Sequence, residues 1–170
     1  MFGLDTTARS EEVRIHRIGV ISAGGWCEGS LYRMGLSLGA RLFDGLRDNI
    51  NGGLTLHYVT SSNLGKMAEL QISGTYIEAI VDLEERPAAD PKYTVTRSYI
   101  PVHILTASGV IIDGNLVAPV GGTLPELTSD YSVEPRIVTG ATINLPGRKR
   151  VVENATLLLD VRHVVYLGRQ

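Results

Sequence analysis

The stretch Ile18–Leu31, IGVISAGGWCEGSL, recurs later in the chain as Val102–Leu116, VHILTASGVIIDGNL. When one residue is inserted, SA aligns with TA, and EGSL aligns with DGNL. Two further blocks match in the same order, and the offset stays near 85 residues, half of the 170-residue chain. These blocks are Arg41–Asp44 with Thr123–Glu126, and Ile72, Ile77 and Ile80 with Leu159, Val164 and Leu167. Because three blocks keep their order and spacing, the sequence predicts a tandem duplication.

Both copies open with the pattern of a β-hairpin. In the first copy, Val13–Ser22 is rich in β-branched residues, Gly24-Gly25 marks a turn, and Trp26–Tyr32 returns. β-Branched runs that flank a glycine turn are typical of hairpins. The second copy has the same order, with Tyr93–Thr106, a turn at Ser108-Gly109, and Val110–Val117. Further strands are predicted at Leu54–Thr60, Met67–Ile72 and Tyr76–Leu83, and at Arg136–Asn144, Val151–Leu159 and His163–Leu167.

A short helical insert is predicted between the second and third strands of each copy. In the first copy, apolar residues between Leu42 and Ile50 keep helical spacing until Asn51–Gly53 ends the pattern. In the second copy, Thr123–Glu126 has the pattern of a capping box with a proline in the first turn. Five strands in about 65 residues favour a closed sheet, which removes exposed edges. The predicted fold is therefore mainly β, with two tandem five-stranded small barrels, each carrying a helical insert.

The predicted organisation is an N-terminal arm (1–14), a first repeat (15–84), a linker (85–92) and a second repeat (93–170). The linker contains Pro87 and Pro91 together with mixed charge, so it cannot continue the preceding strand. A barrel of about 70 residues is marginally stable alone. Each repeat is therefore expected to gain stability by packing against its twin and against other chains.

The strand order, with its glycine turns and its apolar final strands, resembles the Sm-like group of SH3-type barrels. The best local match is Ile72–Ile80, ISGTYIEAI, which is similar to the second Sm motif, where Ile-Arg-Gly precedes the last strand. The resemblance implies a ring-forming protein. The arginine that the family places beside RNA bases is Ser73 here, and the matching pair in the second copy is Asp160-Val161. The helix also lies within each unit rather than ahead of it.

Composition and charge exclude several classes of protein. The formal net charge is −2 and the pI is about 6.1, so no bulk electrostatic attraction to nucleic acid or anionic lipid exists. No apolar run approaches the roughly 20 residues of a membrane span. The N-terminal residues lack the apolar region of a secretory signal, so a cytoplasmic location is expected.

No catalytic, cofactor-binding or metal-binding residue is predicted. The four histidines, His16, His57, His103 and His163, do not match one another in the repeat alignment, and no Cys/His zinc spacing occurs. Glu28 and Asp113 recur at matching positions, and the simple interpretation is that each is a polar residue on a solvent-facing strand. The alternative is that the two carboxylates, one from each copy, act as a general acid and base. Cys27 is predicted to be a buried, inert thiol, because nothing is placed to lower its pKa.

Two sets of residues are candidates for structural or partner-binding roles. Gly29 and Gly114 are predicted to occupy equivalent structural turn positions, where the backbone bends sharply or a neighbour approaches closely. Arg148, Lys149 and Arg150 are predicted to form a charged hairpin tip, either solvated or in contact with phosphate or an acidic partner. The chain has seven tyrosines, which suit protein interfaces and base stacking equally.

The function that these observations favour is a non-enzymatic assembly module. It would form a homo-oligomeric ring, trimer or hexamer, or an accessory subunit of a larger complex; three chains would supply six barrels. The alternative is an Sm-like protein that binds single-stranded RNA, against which the near-neutral charge and the missing Arg-Gly pair argue. A third reading is an enzyme or small-ligand binder with its site between the repeats.

Overall fold

The computed structural model describes residues 14–33, 43, 46, 52–84, 96–125, 134–147 and 151–169. Strands dominate these residues, so the prediction of a mainly β protein is confirmed. The strands are β1 (Arg14–Ser22), β2 (Gly25–Arg33), β3 (Leu54–Ser61), β4 (Gly65–Ile72), β5 (Ile77–Asp82), β6 (Ser98–Thr106), β7 (Ile111–Ala118), β8 (Arg136–Asn144), β9 (Val151–Leu159) and β10 (Val164–Arg169). Short 3-10 turns span Gly74–Tyr76 and Val161–His163. Within this part of the chain, no helix is long and apolar enough to cross a membrane.

All ten strands form one antiparallel sheet, in the order β10-β6-β7-β8-β9-β5-β1-β2-β3-β4. The second half, β10-β6-β7-β8-β9, repeats the order of the first half, β5-β1-β2-β3-β4. The strand pairing repeats as well, because Ile18 faces Gly29 just as Val102 faces Gly114. Residues that occupy the same place in the two pairing patterns are called counterparts below.

The irregularities of the sheet also recur. β2 and β3 change register between Glu28 and Ser30, and β7 and β8 do so between Asp113 and Asn115. The residue of the third strand that accommodates each bulge has a positive φ, 51° at Tyr58 and 57° at its counterpart Gly140. A bulge leaves one residue unpaired and increases the local twist of the strand. The two halves therefore share the bend of the sheet as well as its order.

The short connection from β4 to β5 requires each half to curve. β4 and β5 lie at opposite ends of the five-strand order, which in a flat sheet would separate them by about 19 Å. Only Ser73 and the 3-10 turn Gly74–Tyr76 connect them. The backbone N–H of Ala23 donates to the carbonyl oxygen of Tyr76 (3.1 Å), which holds this connection beside the β1–β2 turn. The same bond recurs in the second half, between Ala107 and His163 (2.8 Å).

Two hydrophobic cores lie on opposite faces of the sheet where the halves meet. On β5, Ile77 and Ile80 pack into the core of the first half, whereas Ala79 and Val81 pack into the core of the second half. Ile80 lies between Ala79 and Val81, and successive residues of a strand point to opposite faces, so both faces of β5 are buried. On the adjacent strand β9, Leu158 in turn enters the core of the first half.

The predicted helical inserts, arm and linker lie mostly or wholly outside the described residues. Of the first insert, predicted between Leu42 and Ile50, only Phe43 and Leu46 are described, and the second, predicted from Thr123, is described only as far as Pro125. Within the described part, no helix reaches seven residues. The strands of the two halves join in one sheet across β5 and β9.

Candidate functional site

The junction of β5 with β9 is where one half of the chain binds the other. Four pairs form it, from Ala79 opposite Leu159 to Asp82 opposite Thr156. Two further residues of the first half, Ile21 and Trp26, join the same hydrophobic core. Burial of apolar surface contributes about 25 cal/mol per Å². The first half therefore serves as a hydrophobic cover for the second.

A buried carboxylate adds a polar contact to this junction. Glu78, on β5, is only 1% exposed. The hydroxyl of Ser108, in the β6–β7 turn, donates to Oε2 of Glu78 (2.6 Å), and the Ser108 backbone N–H donates to the same oxygen (3.3 Å). The backbone N–H of Asp160 donates to the Glu78 carbonyl oxygen (2.9 Å). Since burying a charge without such partners is costly, these bonds fix the alignment of β5 with the second half.

Asp160, directly after β9, carries a second buried carboxylate. Its carboxylate accepts the backbone N–H of Arg162 (3.0 Å), and both of its oxygens accept from the Arg162 guanidinium (2.5–3.1 Å). Nε2 of His163 lies 4.0 Å away. Burial by itself raises the pKa of Asp160, but the hydrogen bonds and charge of Arg162 outweigh it, and the pKa lies below the ordinary 3.8.

The low pKa of Asp160 predicts a specific loss of stability in acid. A carboxyl group whose pKa is lower in the folded state stabilises the fold above its unfolded pKa, and this contribution disappears as the pH falls through the folded pKa. We expect Asp160→Asn to lower the free energy of unfolding at pH 6, and the difference from wild type to shrink as the pH falls below the ordinary carboxyl pKa of 3.8. Urea unfolding of both proteins at pH 6, 4 and 3 measures this. A difference that stays constant across the series contradicts it.

Trp26 packs directly against the backbone of Gly19. The Trp26 indole Nε1 donates to Oε1 of Glu28 (3.0 Å), and the Arg17 guanidinium lies 3.4 Å from Oε2 of Glu28. A Cβ atom added to Gly19 would lie only 2.1 Å from the Trp26 ring, so the indole lies directly on the backbone. Packing of this kind requires glycine at position 19.

The two carboxylates that recur in the sequence belong to separate sites. Glu28 binds Trp26 and Arg17, whereas Asp113 hydrogen-bonds Nδ1 of His103. Their strands, β2 and β7, are separated in the sheet by β8, β9, β5 and β1. The structure therefore does not bring them together as an acid and base.

Each histidine lies near one carboxylate of its surroundings. The nearest Nδ1–oxygen distances are 3.5 Å for His16 with Glu84 and 3.6 Å for His57 with Glu69. Among the described residues, no group of three His, Cys, Asp or Glu side chains is arranged to hold a metal ion. The histidines thus serve separate local pairs.

Cys27 is a free, buried thiol. Burial raises its pKa to about 11, and the nearby charge of Glu28 acts in the same direction. Because only the thiolate reacts, we expect alkylation or disulfide exchange at pH 8 to be at least about a hundredfold slower in the native protein than in urea. Titration with a chromogenic disulfide reagent measures the two rates. Complete native labelling within minutes would overturn this prediction.

The glycines predicted to be structural lie within strands. Gly29 in β2 and Gly114 in β7 each lie at a bulge rather than in a tight turn. A Cβ on Gly29 would lie 3.0 Å from the carbonyl oxygen of His57, and one on Gly114 would lie 2.8 Å from Cγ1 of Val138. The neighbouring strand therefore passes close to both. Arg148, Lys149 and Arg150 lie outside the described residues.

A cavity of about 450 Å³ opens on the first half beside β4. Its walls include Gly24, Gly25, Ser73 and Tyr76. Among the described residues, four tyrosines are more than half exposed: Tyr58, Tyr76, Tyr99 and Tyr166. Of these, Tyr76 lines the cavity and Tyr166 lies on the edge strand β10.

Sequence reasoning missed Glu78 and Asp160, the buried charges of the junction. Glu78 lies within the apolar run IEAIV, and Asp160 directly follows the apolar run LLL. A charged residue at such a position was the sequence signal that could have identified both. A charged residue inside a run that is buried on both faces needs a partner from another strand. No protein-family model matches the chain, and comparisons with curated proteins and with solved structures gave no significant match.

Proposed function

We propose that this protein is a non-enzymatic assembly module that binds copies of itself through its two outer strands, β4 and β10. The observation that carries the proposal is the β5–β9 junction. β5 is the counterpart of β10, and β9 is the counterpart of β4. The β5–β9 junction therefore joins a strand equivalent to β10 with a strand equivalent to β4. The outer strands β4 and β10 are a further pair of the same two kinds.

The outer strands have the properties of a pairing surface. Among the described strands, β4 pairs only with β3, and β10 pairs only with β6. An unpaired edge exposes backbone N–H and C=O groups that readily accept a further strand. β10 also presents Val165 (54% exposed) and Tyr166 (69% exposed). Apolar side chains on an open edge favour association.

Pairing β4 of one copy with β10 of the next is a head-to-tail contact. Such contacts generate a closed ring when the rotation between copies completes a circle. We propose that each half is one small barrel of the SH3-like type, and that three copies form a ring of six barrels. The resemblance to Sm-like proteins, which form rings, supports this number.

The native mass of the purified protein tests the proposal. We expect a trimer or hexamer of the 18.4 kDa chain at 10 µM, with an absorbance ratio at 260 and 280 nm typical of pure protein. Tyr166→Glu, on the edge, should shift the mass toward the monomer, whereas the matched control Tyr58→Glu, on the interior strand β3, should not. A monomeric wild type overturns the proposal, and a peak rich in nucleic acid favours RNA binding instead.

A further inference from the structure

The cavity in the first half has a filled counterpart at the junction. Gly24 and Ser73 line the cavity, and their counterparts in the second half are Ser108 and Asp160. Those two residues are the ones that bind Glu78 of β5. At the junction, the place equivalent to this cavity is therefore occupied by β5 of the neighbouring half.

On the basis of the proposed self-assembly, we propose that this cavity receives Val165 from β10 of a second copy, and that β10 pairs with β4 in one fixed register. Val165 is the counterpart of Glu78, so it would enter beside Gly24 and Ser73. In this register Tyr166 lies opposite Ile72, Leu167 opposite Gln71, Gly168 opposite Leu70, and Arg169 opposite Glu69.

The β10 side of the register follows from its pairing with the first strand of its half. In the first half, Ser22 faces Ile77, and a register shift follows. In the second half, Thr106 faces Val164, and the same shift follows. Counting onward from this shared point makes Tyr166 the counterpart of Ala79.

The β4 side follows from pairing with the third strand. Leu54 faces Ile72 in the first half, and Arg136 faces Leu159 in the second. Ile72 is therefore the counterpart of Leu159. At the junction Ala79 pairs with Leu159, so the equivalent pair between two copies is Tyr166 with Ile72.

Burial supports this register. Leu157 and Leu159 are fully buried, and Ala79 and Val81 of β5 pack in the same core. Their counterparts on β4, Leu70 and Ile72, are only partly buried at the edge of the first core. Tyr166 of a second copy would cover Ile72 in the same manner.

The chemistry of the cavity matches an apolar occupant. At the junction, the Ser108 hydroxyl donates a hydrogen bond to Glu78. The equivalent residue in the cavity is Gly24, which has no side-chain donor. Val165 needs no such donor. The backbone bond from Asp160 to Glu78 would recur between the Ser73 N–H and the Val165 carbonyl oxygen. The second copy would therefore supply this cavity with an apolar side chain and with a backbone acceptor for the Ser73 N–H.

Charge supplies an independent argument for a second copy. Glu69 on β4 is 52% exposed, and Arg169 on β10 is exposed as well. The register derived from the junction places them directly opposite each other. Opposite charges at facing positions of antiparallel strands are stabilising, and like charges are destabilising. One chain thus carries both members of a complementary pair on its two free edges.

Charge exchange tests the register. Glu69→Arg and Arg169→Glu should each raise the dissociation constant of the assembly about tenfold, because each puts like charges face to face. The double variant Glu69→Arg/Arg169→Glu should return it to within about twofold of wild type. Glu153→Arg, at an exposed position of the interior strand β9, is the matched control. Sedimentation equilibrium measures the constants, and circular dichroism checks that each variant folds.

A cysteine pair tests the same register without relying on charge. Gln71→Cys/Leu167→Cys should form disulfide-linked oligomers under mild oxidation, whereas Gln71→Cys/Arg169→Cys, two residues out of register, should not. A wild-type monomer would overturn both the assembly and this register. An assembled wild type in which the charge exchange gives no recovery, or in which the out-of-register pair crosslinks better, would overturn the register alone.

Discussion

Gly19→Val is expected to lower the free energy of unfolding by about 3–5 kcal/mol. The Cβ alone would lie 2.1 Å from the Trp26 ring, and two other ring carbons lie within 2.9 Å of it. Trp26 cannot move away without losing its place in the core and its hydrogen bond to Glu28. Urea unfolding of the purified variant measures the loss, and we expect a melting temperature about 10 °C lower.

A double-mutant cycle shows whether Trp26 is the cause. The second half has His103 in place of Gly19 and Ile111 in place of Trp26, so this place accepts a larger residue when the tryptophan is absent. Trp26→Ile alone should be destabilising because it leaves a void. Gly19→Val/Trp26→Ile should be more stable than Gly19→Val. Additive losses in the double variant would show that the valine introduced at position 19 clashes with something else.

Gly29→Val and Gly114→Val are expected to destabilise the protein by about 2–4 kcal/mol each. The neighbours of Gly29 are the His57 carbonyl oxygen, Leu56 Cβ and Val59 Cγ2, all within 3.2 Å of an added Cβ. Those of Gly114 include the Cα of Ala141 at 3.1 Å. Backbone atoms of a central strand cannot shift cheaply, so both variants should yield less soluble protein.

Gly52→Val provides the control for these glycines. An added Cβ there meets no atom within 4 Å, so the melting temperature should stay within about 2 °C of wild type. Thermal unfolding followed by circular dichroism compares the three variants. Unchanged melting temperatures of both Gly29→Val and Gly114→Val would show that the neighbouring strands, β3 and β8, accommodate a side chain at each bulge.

The local order of the strands was readable from the sequence. The hairpin signals around Gly24-Gly25 and Ser108-Gly109 coincide with β1–β2 and β6–β7. The aligned residues Gly29 and Gly114 occupy the same place in the two pairing patterns. Turn glycines and β-branched runs act over a few residues, and such signals are visible in a single sequence.

The joining of the halves was not readable, because it depends on contacts between distant residues. The run IEAIV in β5 has apolar residues on both faces, which is the pattern of a strand buried on both sides. That pattern does not name the neighbour, β9. The roles of Glu78 and Asp160 depend on Ser108 and Arg162, and only the folded sheet brings Glu78 and Ser108 together.

The covalent connection of the two halves changes how strongly their contact depends on protein concentration. Two strands that belong to one chain meet at an effective concentration in the millimolar range, far above that of a free protein in a cell. The β5–β9 contact therefore forms within every folded chain, even at high dilution. It can tolerate a buried polar group such as the Glu78 carboxyl, whose desolvation would weaken an encounter between separate molecules. The contact within the chain therefore does not have to capture a separate partner, and its chemistry is free of that requirement.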